Sequence, residues 1–354
     1  MKKHMLILAP DPSGDFIASK IAEAWIEADQ GSVKALGGTF LKSAGADVFI
    51  SQDPFSTIGF VDAVLNLPKT LNEGKKIKEE LINSSVLVVV DGRYLLEKFS
   101  PIAKKLSIPV VWVAPSPDWK QKGKTSRTKK LESLADLLLV TDEMSWMAYS
   151  DGGKAIRVRN PHFDISQNQD EGFLGFFLGS RKKEVERLMP VFLKLAGHFK
   201  EKKILVSNAF GYIKNQFNQF PNVEIRKENA KKIIPLCRVA IACNGTLVQQ
   251  CVVSKTPVVA VYKTSNLFWN ILGISKLLGK TPDFWVHPNI FAEREVVPER
   301  IQNLCNFGVL EKDVNDMWAN KSKYVNKFLK ISKKYNSGST FAKSIESIKA
   351  LVNE

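Results

Sequence analysis

The chain has 354 residues, 44 % of them hydrophobic, and carries 51 Lys and Arg against 36 Asp and Glu, a net charge of +15. That length suits two domains, each with a sizeable core, and no apolar run reaches the roughly 18 residues of a membrane-spanning helix. The basic excess favours an anionic partner such as a phosphorylated substrate or an anionic membrane surface. It comes without the zinc-finger, aromatic or basic-heptad signatures that would support nucleic acid.

The start, MKKHMLILAPDPSGD, has two lysines before a short apolar run, but Asp11 arrives too early for a secretory signal. Residues 5–9 are predicted as a first buried strand of a cytosolic protein. The four cysteines, Cys237, Cys243, Cys251 and Cys305, have no CxxC spacing and no histidine cluster, so they read as reduced, buried thiols with no metal. Further apolar runs follow at SSVLVVVDG, IPVVWVAPS and ADLLLVTD, rich in Val, Ile and Leu, as strands covered on both faces are. Helical periodicity over 16–28, 67–82 and 97–106 separates them. This alternation predicts a doubly wound α/β domain.

The polar segment DISQNQDEG, 164–172, reads as a linker. Beyond it the pattern restarts with GFLGFFLGS, a helix from 182 to about 199, KKILVSN, CRVAIACNGT with a following helix, and TPVVAVYK. The fold class is therefore α/β with two Rossmann-like domains facing across a cleft, 1–164 and 173–313. Residues 314–354 read as C-terminal helices that could pack back on the N-terminal domain. Ligands of open α/β sheets bind beyond the carboxyl ends of the strands, so the chemistry is expected in the loops there.

Four such loops stand out. In APDPSGD, Ser13 and Gly14 form a tight turn whose amides suit an anionic group. In VVVDGR, Asp91 sits at a strand end, where it could take a proton from an attacking hydroxyl or could cap a helix or pair with Arg93. In LGSRKKE, Gly179 and Ser180 present amides at a helix start, and Arg181 adds a forked cation suited to phosphate oxygens. In ACNGT, Asn244, Gly245 and Thr246 open another helix. Two anion-receiving turns in one α/β domain suggest a nucleotide diphosphate. A fifth stretch, HPNIFAEREVVPERIQ (287–302), mixes charged and apolar residues too evenly for either a core or a linker.

In order along the chain these pieces resemble the lipid-A-disaccharide synthase family, inverting glycosyltransferases of the GT-B architecture. The family's E-x-SGD turn is similar to Asp11-Pro12-Ser13-Gly14-Asp15, its glycine pair to Gly37-Gly38, its GxxEVL to 59–65 and its SPS turn to Ala114-Pro115-Ser116. GSRxxE is kept at 179–184, SGT appears as Asn244-Gly245-Thr246, and the terminal SGS as Ser337-Gly338-Ser339. The 287–302 stretch resembles the family's PNxxAxRxVxExxQ segment. Departures fall after Asp91, where Gly92-Arg93-Tyr94 stands in place of the family's run, after Ser116, and at Gln250, where the family has an acid that would hold the ribose.

The resemblance implies a reaction joining UDP-2,3-diacylglucosamine to 2,3-diacylglucosamine 1-phosphate, with release of UDP and no cofactor or metal. Residues 1–164 would hold the acceptor, with Asp91 as general base and Ser13, Gly14, Asp15 and Ser116 lining its cleft. Residues 173–313 would hold the nucleotide sugar through Gly179, Ser180, Arg181, Asn244, Gly245, Thr246, Gln250, Asn289, Arg294 and Gln302. Both substrates are anionic lipids, so peripheral contact with the anionic inner face of the cytoplasmic membrane is expected, and the run 267–274 is a candidate for it or for an ordinary buried helix. The alternatives are a diverged GT-B enzyme with another UDP-sugar and acceptor, or a non-catalytic homologue that binds nucleotide or lipid. The oligomeric state is left open.

Overall fold

A computed structural model describes residues 4–52, 67–116, 125–265, 269, 283–335 and 338–353. The matches at 59–65 and at Ser337, the segment 117–124, and the run 267–274 apart from Trp269 lie outside the described residues. The chain divides into two compact units, Met1–Pro161 with Ser337–Glu354, and His162–Asn336.

The first unit is built on a seven-stranded parallel sheet of order β3-β2-β1-β4-β5-β6-β7. The strands are β1 (His4–Leu8), β2 (Val33–Gly37), β3 (Asp47–Ser51), β4 (Ser84–Val90), β5 (Val110–Val113), β6 (Leu137–Val140) and β7 (Ala155–Arg157). Side chains alternate across a strand, and both faces here are buried. Met5, Ile7, Val86, Val88 and Val90 enter one apolar layer, while Leu6, Leu8, Leu87 and Val89 enter the other. Helices α1 (Pro12–Glu27), α2 (Thr39–Ser43), α3 (Leu67–Ile82), α4 (Arg93–Lys105), α5 (Ser126–Glu132) and α6 (Glu143–Tyr149) connect the strands. Strands β2, β3 and β7 have no long apolar run to reveal them. Lys34 interrupts β2, and its ammonium reaches Glu80 at 2.8 Å.

The second unit repeats the plan with β8 (Phe173–Phe177), β9 (Ile204–Ser207), β10 (Val223–Arg226), β11 (Cys237–Cys243), β12 (Val258–Tyr262) and β13 (Glu299–Ile301), ordered β10-β9-β8-β11-β12-β13. Its helices are α7 (Lys182–His198), α8 (Ala230–Ile233), α9 (Thr246–Ser254), α10 (His287–Ala292), α11 (Phe307–Ala319) and α12 (Lys321–Tyr335). All four cysteines are free and buried, and burial pushes their thiols up. Among the described residues no helix is long and apolar enough to cross a membrane.

The helices of 314–354 are divided between the units. Phe328, Ile331 and Tyr335 of α12 join the second core. Helix α13 (Phe341–Asn353) lays Phe341, Ile345 and Ile348 on the layer that holds Ile17, Ile21 and Trp25 of α1. The turn before it explains the glycine of the terminal SGS. Gly338 is left-handed (φ 115°), and a Cβ there would meet the backbone of Val158 at 2.7 Å and of Arg159 at 2.9 Å. Ser339 can then bond to Arg157 and Arg159 alongside the end of β7.

The segment 164–172 corrects the linker expectation. The Asn168 amide donates to Cys237 O (2.7 Å) and Thr256 Oγ1 (3.0 Å), and the Asp170 carboxylate takes Arg238 (3.0 Å) and Lys321 (2.8 Å). Its polarity serves backbone and charged groups of the second unit, so it is fastened where sequence alone suggested a free connection.

Candidate active site

In both sheets the strand order reverses between the first and fourth strands in sequence, β1/β4 in the first unit and β8/β11 in the second. Crevices outside the carboxyl ends of such neighbours are where doubly wound folds bind ligands. Each of the four loops singled out in sequence falls at one of these strand ends.

At the first switch point Asp91 follows β4 in a left-handed conformation (φ 54°), half-buried. Its N–H donates to Val113 O at 2.8 Å and its C=O accepts Trp112 Nε1 at 2.8 Å. Its carboxylate Oδ1 accepts the Ser116 hydroxyl at 2.5 Å. Arg93 turns to Glu97 at 3.2 Å, and Gly92 occupies the N-cap of α4 without a side-chain bond. The structure thus brings Asp91 and Ser116 together.

It does not bring the SGD turn to a ligand in the expected way. The Ser13 and Gly14 amides donate to the Asp11 carboxylate at 2.9 and 3.0 Å, so helix α1 is capped by its own chain. Asp15 is fully buried, and its oxygens accept the N–H groups of Gly38 (2.7 Å), Phe40 (2.9 Å) and Leu41 (3.3 Å). Burial raises this carboxyl above its ordinary value, against the pull of the three amides. A Cβ on Gly37 would lie 2.4 Å from Leu41 Cδ1, and one on Gly38 would lie 2.4 Å from Gln52 Nε2 and 2.8 Å from Asp15 Oδ2. Asp15 therefore braces the glycine pair instead of lining a cleft. The two motifs form one structural device.

The second switch point differs in a telling way. Gly179 (φ 115°) leaves β8 where a Cβ would strike Glu184 Oε2 at 2.6 Å. Arg181 takes the N-cap of α7 and Gly245 (φ 131°) that of α9, and neither makes a side-chain cap hydrogen bond. Among the described residues nothing lies within 4 Å of a Cβ placed on Gly245. Arg181 Nη1 pairs with Glu184 Oε1 at 3.1 Å, which holds the guanidinium beside the turn. Asn244 donates its N–H to Val261 O (2.8 Å) and its amide to Trp285 O (3.0 Å), fixing the turn that carries Gly245 and Thr246. Two helix N-termini with positive dipole ends, a forked cation and a glycine at 245 that admits a close approach can hold a diphosphate.

Gln250 is 4 % exposed, and its amide donates to His162 O at 3.1 Å, so it faces the backbone of its own unit and is not poised for a ribose. The acid four residues after the threonine is replaced by a neutral group that suits this buried place.

The 287–302 stretch is a bracket. Asn289 is 0 % exposed and makes four hydrogen bonds. Its oxygen accepts Val296 N (2.8 Å) and Val297 N (2.9 Å), and its nitrogen donates to Val297 O (2.7 Å) and Glu299 Oε1 (2.8 Å). Glu299, which the site reading missed, also receives the N–H groups of Trp285 and Val286 at the start of α10. Its signal was the acid retained two residues after Val297 in the resemblance. Gln302 (8 % exposed) embraces Thr264, accepting its N–H at 3.0 Å and donating to its C=O at 3.1 Å, beyond the end of β12. Arg300 is held by Asp313 at 2.6 Å, while Arg294 is exposed. Asn289 and Gln302 therefore shape the loop around the NGT turn, a correction to their expected direct contact with donor groups. The Asn289 oxygen is spent on the amides of Val296 and Val297, and the Gln302 side chain on the backbone of Thr264, because these residues are buried and their polar groups need partners.

The sequence pattern described as lipid-A-disaccharide synthetase matches residues 5–141 and 157–351. Lipid-A-disaccharide synthase of Syntrophus aciditrophicus is 26 % identical over 336 residues, covering 86 % of this chain and 85 % of that one. The enzyme of the same name from Wigglesworthia glossinidia brevipalpis is 24 % identical over 371 residues, 95 % and 94 % of the two chains. Among solved structures, the calicheamicin glycosyltransferase shares the fold with a TM-score of 0.62 at 12 % identity, covering 100 % of this chain and 99 % of that one. Two parallel α/β sheets with this likeness define the GT-B class. The family match spans both sheets and all four strand-end loops, and on that basis the chain belongs to the lipid-A-disaccharide synthetase family.

Proposed function

We propose that this glycosyltransferase joins UDP-2,3-diacylglucosamine to the 6-hydroxyl of 2,3-diacylglucosamine 1-phosphate, giving a tetraacyl disaccharide 1-phosphate and UDP. The observation that supports this most is the asymmetry of the two switch points in a chain matched to the family along nearly its whole length. One switch point carries a carboxylate held by a hydroxyl, and the other carries two helix starts without side-chain caps beside an arginine.

The first supplies a base and the second a diphosphate seat. Asp91 takes the acceptor hydroxyl proton as its oxygen bonds to the anomeric carbon of the donor, with inversion. The bond from that carbon to the diphosphate breaks, and its electron pair leaves with UDP. Arg181 and the amides around Ser180 and Thr246 hold the diphosphate as negative charge builds on it.

The direct test is UDP release from the diacylated donor in mixed micelles, with and without the diacylglucosamine 1-phosphate acceptor. Acceptor-dependent release with a tetraacyl disaccharide product is the expected result. UDP binding without release would instead favour the non-catalytic homologue, and turnover of unacylated UDP-sugar would favour a different GT-B enzyme.

Arg181→Lys keeps the charge but loses the planar fork. UDP affinity is expected to fall about 10- to 100-fold, the equivalent of one charge-assisted hydrogen bond of roughly 1.5–3 kcal/mol. Calorimetric titration with UDP checks this, and unchanged affinity would remove Arg181 from the diphosphate seat.

The substrates are lipids, and the net charge of +15 suits contact with an anionic bilayer at its cytoplasmic face. Vesicles rich in anionic lipid should co-sediment the protein at low salt and release it as salt screens the attraction. Equal binding to neutral vesicles, or none to anionic ones, would refute this surface.

A further inference from the structure

We propose that Ser116 and Tyr149 are positioning residues for the Asp91 carboxylate: Ser116 orients the base, and Tyr149 holds Ser116. This assignment rests on Asp91 being the base, and it extends to side chains that the reaction scheme does not use.

Two strand ends meet here in an uncommon conformation. Asp91 (φ 54°) after β4 and Ala114 (φ 50°) after β5 are both left-handed without being glycine. Such backbone persists where its surroundings over-determine it, and it clusters at functional sites. The surroundings are visible. Trp112, fully buried, donates its indole N–H to the Asp91 carbonyl at 2.8 Å, and the Asp91 N–H is taken by Val113. The Asp91 main chain is thus fixed on both sides of the peptide.

The side chain is fixed separately. Ser116 Oγ donates to Asp91 Oδ1 at 2.5 Å, at the short end of the range for O–H···O bonds. A carboxylate has about four lone-pair sites, and the Ser116 hydroxyl occupies one on Oδ1. The donor also removes the broad rotation such a group otherwise has about its last torsion.

Ser116 is itself held from behind by α6. The Tyr149 hydroxyl donates to the Ser116 carbonyl at 3.0 Å, and the buried Ser145 hydroxyl donates to the Pro115 carbonyl at 2.6 Å. The Tyr149 ring meets Trp112 edge-on, centroids 5.6 Å apart. Tyr149 is 0 % exposed, so it does not face a substrate, and its bond to the Ser116 carbonyl gives its hydroxyl a route to the base. The same two rings therefore lock both the carboxylate's backbone and the turn that carries its hydrogen-bond donor.

Removing the Ser116 hydroxyl should misaim the base. The test compares kcat and both KM values for Ser116→Ala, Ser116→Thr and Tyr149→Phe, with Asp91→Asn as control. Ser116→Ala is expected to lose about 10- to 100-fold in kcat, the scale of a small misplacement of a reacting group, with both KM values nearly unchanged. Ser116→Thr keeps the hydroxyl and should restore most of the rate. Tyr149→Phe keeps the ring and should show a smaller fall in kcat, about threefold to tenfold, with the same pattern.

A raised acceptor KM with unchanged kcat in Ser116→Ala would make Ser116 a substrate contact and overturn the proposal. Unchanged kcat in both Ser116→Ala and Tyr149→Phe, beside an inactive Asp91→Asn, would overturn it while leaving the base in place. An active Asp91→Asn would instead remove the base itself. Should Tyr149→Phe lose its fold by circular dichroism, the two Ser116 variants decide alone.

Discussion

Asp91→Asn is expected to lower acceptor-dependent UDP release roughly 10²- to 10⁴-fold, the range general-base catalysis supplies, and to leave UDP affinity within about twofold of the parent. The substitution is nearly isosteric, and the Ser116 hydroxyl can still donate to Oδ1 at the same place. The backbone bonds to Val113 and Trp112 do not depend on the side chain. What disappears is the ability to accept the proton of the acceptor hydroxyl. The proposed diphosphate seat, at Arg181 and the glycine turn at Gly245, belongs to the other sheet and should not register the change. Steady-state UDP release and a UDP titration on the same preparation separate the two effects. Preserved turnover would place the base elsewhere, whereas loss of both turnover and UDP affinity would indicate collapse of the fold.

Asn289→Ala is expected to destabilise the second unit by at least about 3 kcal/mol, since each buried polar group left without a partner costs roughly 1–3 kcal/mol. The side chain answers the amides of Val296 and Val297, the Val297 carbonyl and the Glu299 carboxylate. Alanine abandons all of them where Val296 and Val297 are 1 % and 0 % exposed, shielded from solvent. Glu299 would then hold the Trp285 and Val286 amides without its lateral support. Since Trp285 also receives the Asn244 amide, the disturbance reaches the NGT turn, and UDP affinity should fall with stability. Urea unfolding followed by tryptophan fluorescence measures the first effect and calorimetry the second. A variant of normal stability with weakened donor binding would return Asn289 to direct contact with the substrate.

These cases show which residues a motif can assign and which it cannot. Asp91, Ser180, Arg181, Gly245 and Thr246 could be singled out because strand ends announce themselves: an apolar run stops and small or charged residues follow. Strands β1, β4, β8 and β11, which frame both switch points, were legible for the same reason, being buried on both faces and hence continuously apolar. Strands β3, β10 and β13 sit at sheet edges or near them, are short, and carry polar residues such as Glu224 and Arg300, so period and composition passed over them.

The sequence by itself determined the α/β class, the strand-end loops proposed for the chemistry, the basic charge and the resemblance that names the reaction. Tertiary structure decided which motif residues stay open at the strand ends and which turn to their own backbone. Asp15, Gln250, Asn289 and Gln302 belong to the second group, because each satisfies buried N–H or C=O groups supplied by segments that are distant in sequence, nearby only through a turn, or both. Side-chain identity records that a hydrogen bond is needed. The partner at the other end is fixed only when strands such as β1 and β2, or β12 and β13, come to lie side by side.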